Sequence, residues 1–256
     1  MNNPPKVIEE TLEALRFFTR LPIVRGTGAP PPFSRALPRA PYAGALLGLG
    51  GGLALLVATR LGAPPQIAAW LVVGFSAIVT GAMHEDGLAD VADGFGGGYS
   101  REKRLDIMRD SRIGAFGASA LIVSFGLRVA ALTALAAAPG RAVLVLVAAG
   151  AVSRAACLAP LVLLAPARVD GAGRAAVLTL DQARAAWIAA LVFGLAPALS
   201  GFSVTSCLLA LLLAGLATRA LCALAQRMIG GQTGDVAGAA QQAAEIAVLA
   251  VFAGSV

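Results

Sequence analysis

The amino-acid sequence predicts an all-α polytopic membrane protein: a helical bundle of about seven transmembrane helices with an amphipathic helix at its N-terminus. Of 256 residues, 58% are apolar and only 13% are charged, and the mean hydropathy is +0.80. Soluble domains are about half apolar and about one quarter charged. Because no break in this composition divides the chain, we treat residues 1–256 as one membrane-embedded domain.

Neither the net charge nor the cysteines indicate another class of protein. The net charge is +6, but no cluster of basic residues interleaved with aromatic residues accompanies it, so nucleic acid is not expected as a partner. Cys157, Cys207 and Cys222 lie in apolar segments without the spacing of metal ligands. We interpret them as small buried apolar side chains.

The first 41 residues predict an interfacial helix followed by a loop. In residues 6–19, Ile8, Leu12 and Leu15 fall on one side of a helix and the charged residues fall largely on the other. This pattern is typical of a helix that lies at a membrane surface. Residues 22–41 are rich in proline and predict a long loop, either mobile or part of a binding site.

Seven segments approach the roughly 20 apolar residues that cross a bilayer. In the first, Gly44, Gly48 and Gly52 recur every four residues. This spacing favours close packing between helices over a nucleotide-binding turn, since no strand precedes it. The predicted spans are residues 42–60, 66–83, 114–137, 142–165, 183–199, 204–228 and 236–255.

The basic residues assign the loops to the two sides of the membrane. The N-terminal region and the loops at 84–113, 166–184 and 227–235 hold fifteen of the twenty basic residues. Positively charged loops stay in the cytoplasm. The sequence therefore predicts a cytoplasmic N-terminus and places each polar cluster at the cytoplasmic surface.

Residues 84–113 are the predicted catalytic segment, because seven of the fourteen acidic residues lie between positions 85 and 110. At about 100° per residue, Asp86, Asp90 and Asp93 share one narrow face of a helix. Like charges at this spacing repel one another, and a bound divalent cation relieves the repulsion.

Further along, Asp106 and Asp110 repeat the four-residue spacing, and Arg109 and Arg112 lie between and beside them. These residues add oxygen ligands for a metal and donors for phosphate. The alternative, a solvated polar loop, does not account for five aspartates at helical spacing. With no Cys/His set in the chain, Mg²⁺ or Mn²⁺ is favoured over Zn²⁺. The predicted metal ligands are Asp86, Asp90, Asp93, Asp106 and Asp110.

Four charged residues, Arg128, Arg154, Arg219 and Glu245, fall inside predicted spans. A charge near the bilayer centre costs about 2.5–3.5 kcal/mol on insertion scales, so these groups must be paired or hydrated. One interpretation is a set of structural ion pairs between helices. The other is that Arg154 or Arg219 completes a pocket for an anionic substrate.

Two more features belong to the same predicted surface. The glycine-rich loop that ends at Gly234 and Asp235 opens the last helix, and its backbone N–H groups could receive a phosphate. His84 lies next to the acidic stretch. Its position is equally compatible with a contact to substrate or metal and with a structural hydrogen bond.

These residue types indicate phosphoryl-type transfer, in which catalysis is mostly positioning and charge neutralisation. Asp86, Asp90 and Asp93 would hold the metal, and one aspartate would deprotonate an attacking hydroxyl. Asp235 would bind or activate from the far side of the pocket. The chain has no Ser/His/Asp set, Walker A sequence or kinase signature. The donor is therefore expected to be a pyrophosphate conjugate that an alcohol cleaves, releasing a nucleoside monophosphate.

In combination, these segments resemble the adenosylcobinamide-GDP ribazoletransferase (cobalamin synthase) family. The resemblance covers nearly the whole chain and is carried by Phe18 to Pro22, residues 84–98, Asp106 to Gly114, Ser153-Arg154, Pro166 to Arg168, and Gly234-Asp235 with Glu245. It implies that α-ribazole, or its 5′-phosphate, attacks adenosylcobinamide-GDP to give adenosylcobalamin, or its phosphate, and GMP.

The resemblance further implies Mg²⁺ as cofactor and a multi-pass location in the bacterial inner membrane, with the active site on the cytoplasmic side. A homo-oligomer, or association with other cobalamin-assembly enzymes, is a possible arrangement. The implied catalytic residues are Asp86, Asp90, Asp93 and Asp235, and the implied substrate-binding residues are Arg20, His84, Arg109, Ser111, Arg112, Arg154 and Gly234.

Two other functions compete with this interpretation. The aspartate triad also resembles that of CDP-alcohol phosphotransferases acting on lipid, but their Ala-Arg after the first Asp-Gly is missing, because Phe95 and three glycines follow Asp93-Gly94. A transporter would place polar residues along several spans, whereas here they collect at one face.

Overall fold

The computed structural model describes residues 6–23, 33–168 and 178–256, and within these ranges the regular secondary structure is helical. The predicted all-α class is confirmed. The helices are α1 (Lys6–Phe18), α2 (Phe33–Ala36), α3 (Ala40–Arg60), α4 (Pro65–Thr80), α5 (Met83–Gly97), α6 (Arg101–Ile107), α7 (Ala115–Leu135), α8 (Pro139–Ala156), α9 (Leu158–Leu163), α10 (Leu180–Gly194), α11 (Val204–Ile229) and α12 (Gly234–Ala253). Short 3₁₀ turns precede α3 and follow α10.

Six helical stretches of the described chain are long and apolar enough to cross a membrane. They are α3, α7, α8 with α9, α10, α11 and α12. A seventh candidate is the pair of α4 and α5, bent by 90°. Because α4 is apolar and α5 carries the acidic residues, we treat α4 as the spanning part and α5 as lying outside the membrane-spanning segments. The predicted bundle of about seven spans is confirmed.

The N-terminal region is helical over a longer stretch than predicted. The helix expected at residues 6–19 is present as α1, and Glu10 binds Arg39 at 2.9 Å. The loop predicted at 22–41 is wrong in its last part, because helical structure begins at Phe33. Pro38 and Pro41 lie in first turns, where a helix does not need their missing N–H. Residues 24–32 lie outside the described part of the chain.

The glycine stripe of α3 packs against α8, as its spacing predicted. Gly44 lies against the backbone of Gly150, and a Cβ on Gly52 would come within 2.8 Å of the Val143 Cα. Small residues allow backbones to approach closely in membranes, where the hydrophobic effect does not drive helix association. In the span formed by α8 and α9, 78% of the most apolar window is buried, against 28% in α11. The α8 helix is therefore the centre of the bundle.

A tight corner between α4 and α5 sets the direction of the acidic helix. Gly81 and Ala82 both adopt left-handed backbone conformations, with φ of 65° and 54°. The Arg20 backbone N–H donates to the Val79 carbonyl at 2.8 Å, and the Arg20 side chain lies against Gly81. The corner turns α5 across the end of the bundle, where it packs against α7 and α12.

The glycine stripe yields a stability test. We expect Gly48→Ala to destabilise the protein by about 1–3 kcal/mol, because its Cβ would overlap the backbone of Leu146. The matched control is Gly74→Ala, where no atom lies within 4 Å of the added Cβ, and where the change gains up to about 1 kcal/mol of helix propensity. Thermal unfolding in detergent measures both variants. Equal responses would contradict the packing assigned to α3 and α8.

Candidate active site

The acidic helix α5 carries three aspartates whose exposure decreases along the helix. Asp86 is exposed, Asp90 is half-buried, and Asp93 is only 8% exposed. The helix ends at Gly97, and Gly98 follows it in an extended conformation. The sequence-based expectation that these aspartates lie on one helix ended by glycines is confirmed.

The middle of α5 crosses the first turn of α12 at very short range. A Cβ on Gly87 would lie 2.9 Å from the backbone oxygen of Asp235, so only glycine permits this approach. The Thr233 hydroxyl caps α12, accepting from the Val236 N–H at 3.3 Å and donating to Asp235 Oδ2 at 3.1 Å. The two segments predicted to share one membrane face are therefore in contact.

Three carboxylates influence one another across this contact. Burial raises the pKa of Asp90 to about 7, and the charges of Asp235 and Asp86 add to this rise. The Arg168 guanidinium acts in the opposite direction on the same pKa, and its Nη2 lies 3.8 Å from Asp235 Oδ2. We call Asp86, Asp90 and Asp235 the acidic site. Ionising all three together costs free energy that a bound cation would recover.

The carboxylate of Asp93 is engaged in holding α7. Its Oδ2 accepts from the Gly114 N–H at 2.7 Å, and its Oδ1 accepts from the Gly117 N–H at 2.8 Å. A carboxylate at a helix N-terminus is stabilised by the unpaired N–H groups and the helix dipole. Both oxygens of Asp93 thus have backbone partners, and its predicted role as a metal ligand stays a prediction.

The second predicted group of ligands lies in α6 and in the turn that follows it. Asp106, Arg109, Ser111 and Arg112 are exposed. Arg112 binds Asp110 at 2.6 Å, and its side-chain hydrogen bonds lower the pKa of that carboxyl to about 2.

Across the described ranges, no group of three or more His, Cys, Asp or Glu is arranged to hold a metal ion. The five predicted ligands are therefore not gathered into one cage. Asp93 accepts hydrogen bonds from the start of α7, and Asp110 pairs with Arg112.

Arginines of α6 join the polar loops at one end of the bundle. Arg101 donates to the Ile229 and Ala167 carbonyls, both at 2.8 Å, and Arg104 donates to the Met228 carbonyl at 3.0 Å. Cations are favourable at the carbonyl end of a helix, here α11. The segments around positions 101, 167 and 229 therefore meet, as the predicted loop assignment requires.

Three charged residues of the spans, Arg128, Arg154 and Glu245, belong to a buried ion-pair network. Arg128 binds Glu85 at 2.9 Å and lies 3.5 Å from Glu245, and Arg154 binds Glu245 at 3.0 Å. Two carboxylates and two guanidinium groups make the network neutral. Arg128 and Arg154 therefore form structural ion pairs between helices, which is one of the two interpretations given from the sequence. Glu85 was not expected in this role, because helical periodicity does not show which residue lies opposite.

The remaining predicted site residues lie around this region. His84 is 3% exposed and stacks on Phe18 with ring centroids 5.7 Å apart. Its Nε2 has no hydrogen-bond partner in the described chain. Burial lowers the pKa of His84 well below its usual value, and Arg154 and Arg128 add to this, so the imidazole is neutral. Gly234 is the exposed first residue of α12.

Arg168 lies at the acidic site, although the sequence analysis did not include it among the predicted catalytic, metal-binding or substrate-binding residues. It follows a segment in which Ala165 and Ala167 exchange backbone hydrogen bonds with Gln232, both 2.8 Å long. The signal available in the sequence was its place within the Pro166 to Arg168 motif. Its contact with Asp235 depends on this pairing of two distant loops.

Comparisons with known proteins give a consistent result. The chain matches the cobalamin-5-phosphate synthase family over residues 10–253. A protein of Azorhizobium caulinodans is 49% identical over 252 residues, covering 95% of each chain. One of Mesorhizobium japonicum is 46% identical over 255 residues, covering 97% of this chain and 94% of its own. Both are named adenosylcobinamide-GDP ribazoletransferase. No solved structure matches.

The ion-pair network yields a second stability test. We expect Arg128→Gln to destabilise the protein by about 3–5 kcal/mol, because it leaves the buried carboxylate of Glu85 without a countercharge. Arg184→Gln is the matched control, since Arg184 pairs with Asp181 at 2.8 Å on the exposed surface, where such pairs contribute little. Melting temperatures in detergent compare the two variants. Shifts of the same size would show that the buried pairs do not hold the helices together.

Proposed function

This chain belongs to the cobalamin-5-phosphate synthase family, and on that premise we propose that the acidic site is where it carries out its transfer reaction. The protein is a transferase of cobalamin nucleotide-loop assembly. Following the name that its relatives bear, we assign adenosylcobinamide-GDP as the donor. The acceptor is α-ribazole or its 5′-phosphate, and GMP leaves.

The observation that carries this assignment is the approach of Asp86 and Asp90 on α5 to Asp235 on α12. Burial raises the pKa of Asp90 to about 7, and the negative charges of Asp235 and Asp86 add to this rise. A site that concentrates negative charge is suited to a diphosphate only if a cation accompanies the diphosphate. This requirement supports a metal-dependent transfer.

We propose that Asp86 and Asp90 hold Mg²⁺ together with the donor. Mg²⁺ prefers oxygen ligands and is usually bound by one or two carboxylates plus substrate phosphates. A site of this kind does not need three protein ligands. Among the described residues, no group of three or more His, Cys, Asp or Glu is arranged to hold a metal ion. When bound, the ion neutralises the diphosphate and stabilises GMP as a leaving group.

The residues of the chain position the reactants and move one proton. Arg168, beside Asp235 at 3.8 Å, is placed to bind a phosphate oxygen, and the backbone N–H of Gly234 at the start of α12 adds a second donor. A carboxylate of the acidic site that is not shared with the metal takes the proton of the attacking hydroxyl. His84 Nε2, which has no hydrogen-bond partner among the described residues, would form one hydrogen bond with the substrate.

We further propose that this end of the bundle faces the cytoplasm, on the inner membrane. The support is the excess of basic residues in the loops that meet there. Arg109 and Arg112 on the same side would neutralise the departing GMP. Assembly as a homo-oligomer or with other cobalamin-assembly enzymes stays a prediction.

The assignment is tested with purified protein in detergent, given adenosylcobinamide-GDP, α-ribazole 5′-phosphate and Mg²⁺, with GMP followed by chromatography. We expect Asp90→Asn to lower turnover by on the order of 10²–10³, the usual loss when one electrostatic group is removed from a catalytic site. The variant should keep its melting temperature, because the Asp90 side chain forms no hydrogen bond with the residues that the structure describes.

The matched control is Asp181→Asn, which makes the same change of charge on the exposed first turn of α10. It should leave turnover unchanged. Normal turnover of Asp90→Asn would remove this carboxylate from the mechanism. Absence of GMP with the unmodified protein would remove the assigned reaction.

Metal binding should depend on the donor. We expect Mn²⁺, used as a paramagnetic probe for Mg²⁺, to bind the protein weakly alone and more tightly once adenosylcobinamide-GDP is added, since the phosphates supply ligands. Electron paramagnetic resonance of free Mn²⁺ measures this, with Asp86→Asn and a donor-only sample as controls. Equal Mn²⁺ affinity with and without the donor would contradict a shared site.

A further inference from the structure

A groove runs along the outside of the bundle between α8 and α9 on one side and α10 and α11 on the other. Small residues make it concave: Ala155 and Ala159 on one wall, and Ala214 and Gly215 on the other. Trp187 of α10 forms part of the wall, and its Nε1–H donates to the Ala155 carbonyl at 3.2 Å. The groove therefore has fixed walls and an apolar lining.

The apolar lining ends at a guanidinium group. Arg219 lines this groove and also its continuation, where Gln226 and Arg227 add polar side chains further along α11. Arg219 is exposed at the protein surface. With respect to the described residues, neither Arg219 nor Arg227 forms a hydrogen bond or an ion pair.

The position of Arg219 along α11 makes this lack of a partner costly. The ten residues from Arg219 to Ile229 rise about 15 Å at 1.5 Å per residue. This equals the thickness of half of the hydrocarbon layer, about 15 Å, so the Arg219 backbone lies well below the membrane surface. The side chain can extend towards the helix end at Ile229, but its guanidinium group does not reach bulk water. Arg128 and Arg154 meet carboxylates of the protein, whereas no carboxylate among the described residues pairs with Arg219.

We propose that this groove binds an anionic phospholipid from the leaflet in which the acidic site lies. An acyl chain lies along the apolar walls, and the phosphate lies between Arg219 and Arg227. Basic pockets between transmembrane helices bind anionic head groups in this way, and a guanidinium matches a phosphate with two parallel hydrogen bonds. A zwitterionic lipid offers the same chain but carries its own cation. The proposal does not depend on the reaction assigned to the acidic site.

The two tryptophans of the chain, Trp70 and Trp187, make the test specific. In Trp70→Phe, the fluorescence of Trp187 reports the groove, and bromine atoms on an acyl chain quench a tryptophan that they contact. The protein is reconstituted into vesicles with increasing fractions of brominated phosphatidylglycerol or brominated phosphatidylcholine. We expect phosphatidylglycerol to quench at a lower fraction, by about fivefold per contributing arginine. Arg219→Gln should lower the preference for phosphatidylglycerol by the factor that Arg219 contributes.

Three controls separate this site from ordinary lipid contact. In Trp187→Phe, the remaining tryptophan is Trp70. It is 51% exposed on α4 in the unmodified protein, and both brominated lipids should quench it equally. Arg184→Gln removes an exposed cation from the same helix as Trp187 and should leave the preference of Trp187 unchanged. Circular dichroism and the elution profile show whether each variant is folded.

The outcomes decide the proposal. A preference for phosphatidylglycerol at Trp187 that Arg219→Gln lowers supports it. Equal quenching of Trp187 by both lipids, or a preference that Arg219→Gln leaves intact, overturns it.

Discussion

Mutual repulsion among Asp86, Asp90 and Asp235 is the constraint on which the functional end of the molecule depends. These side chains lie on two helices that Gly87 allows to touch. The rest of the structure tolerates this crowding because α5 is held to α7 near both of its ends, and because Val91 of α5 packs in an apolar cluster with Val236 and Ala239 of α12.

The anchors of α5 are themselves acidic residues of the same helix. Near one end, Glu85 binds the buried Arg128 of α7, and near the other, Asp93 accepts two N–H groups at the start of α7. Neighbouring carboxylates of one helix therefore have different roles, set by what lies opposite each of them. Asp86 and Asp90 are left without such anchors and form the acidic site with Asp235. A site held in this way keeps its geometry before the substrate arrives, which favours electrostatic catalysis.

The arginines divide in the same manner according to their partners. Arg128 and Arg154 are neutralised within the bundle, and Arg101 and Arg104 satisfy carbonyl groups at the end of α11. Arg168 opposes the acidic site. Arg219 has none of these partners, which is why the lipid is the source of its counterion. One residue type thus stabilises helix packing, loop docking and contact with the bilayer.

The sequence by itself determined the spans, the glycine stripe of α3 and the limits of α5, because apolar length, four-residue spacing and glycine breaks act locally along the chain. It also placed the polar loops at one end through their positive charge. Only the tertiary structure decided the 90° corner at Gly81 and Ala82, the capping of α7 by Asp93 and the pairing of Glu85 with Arg128. Periodicity shows which residues share a face of a helix, but the group that lies opposite that face is fixed only when distant helices pack.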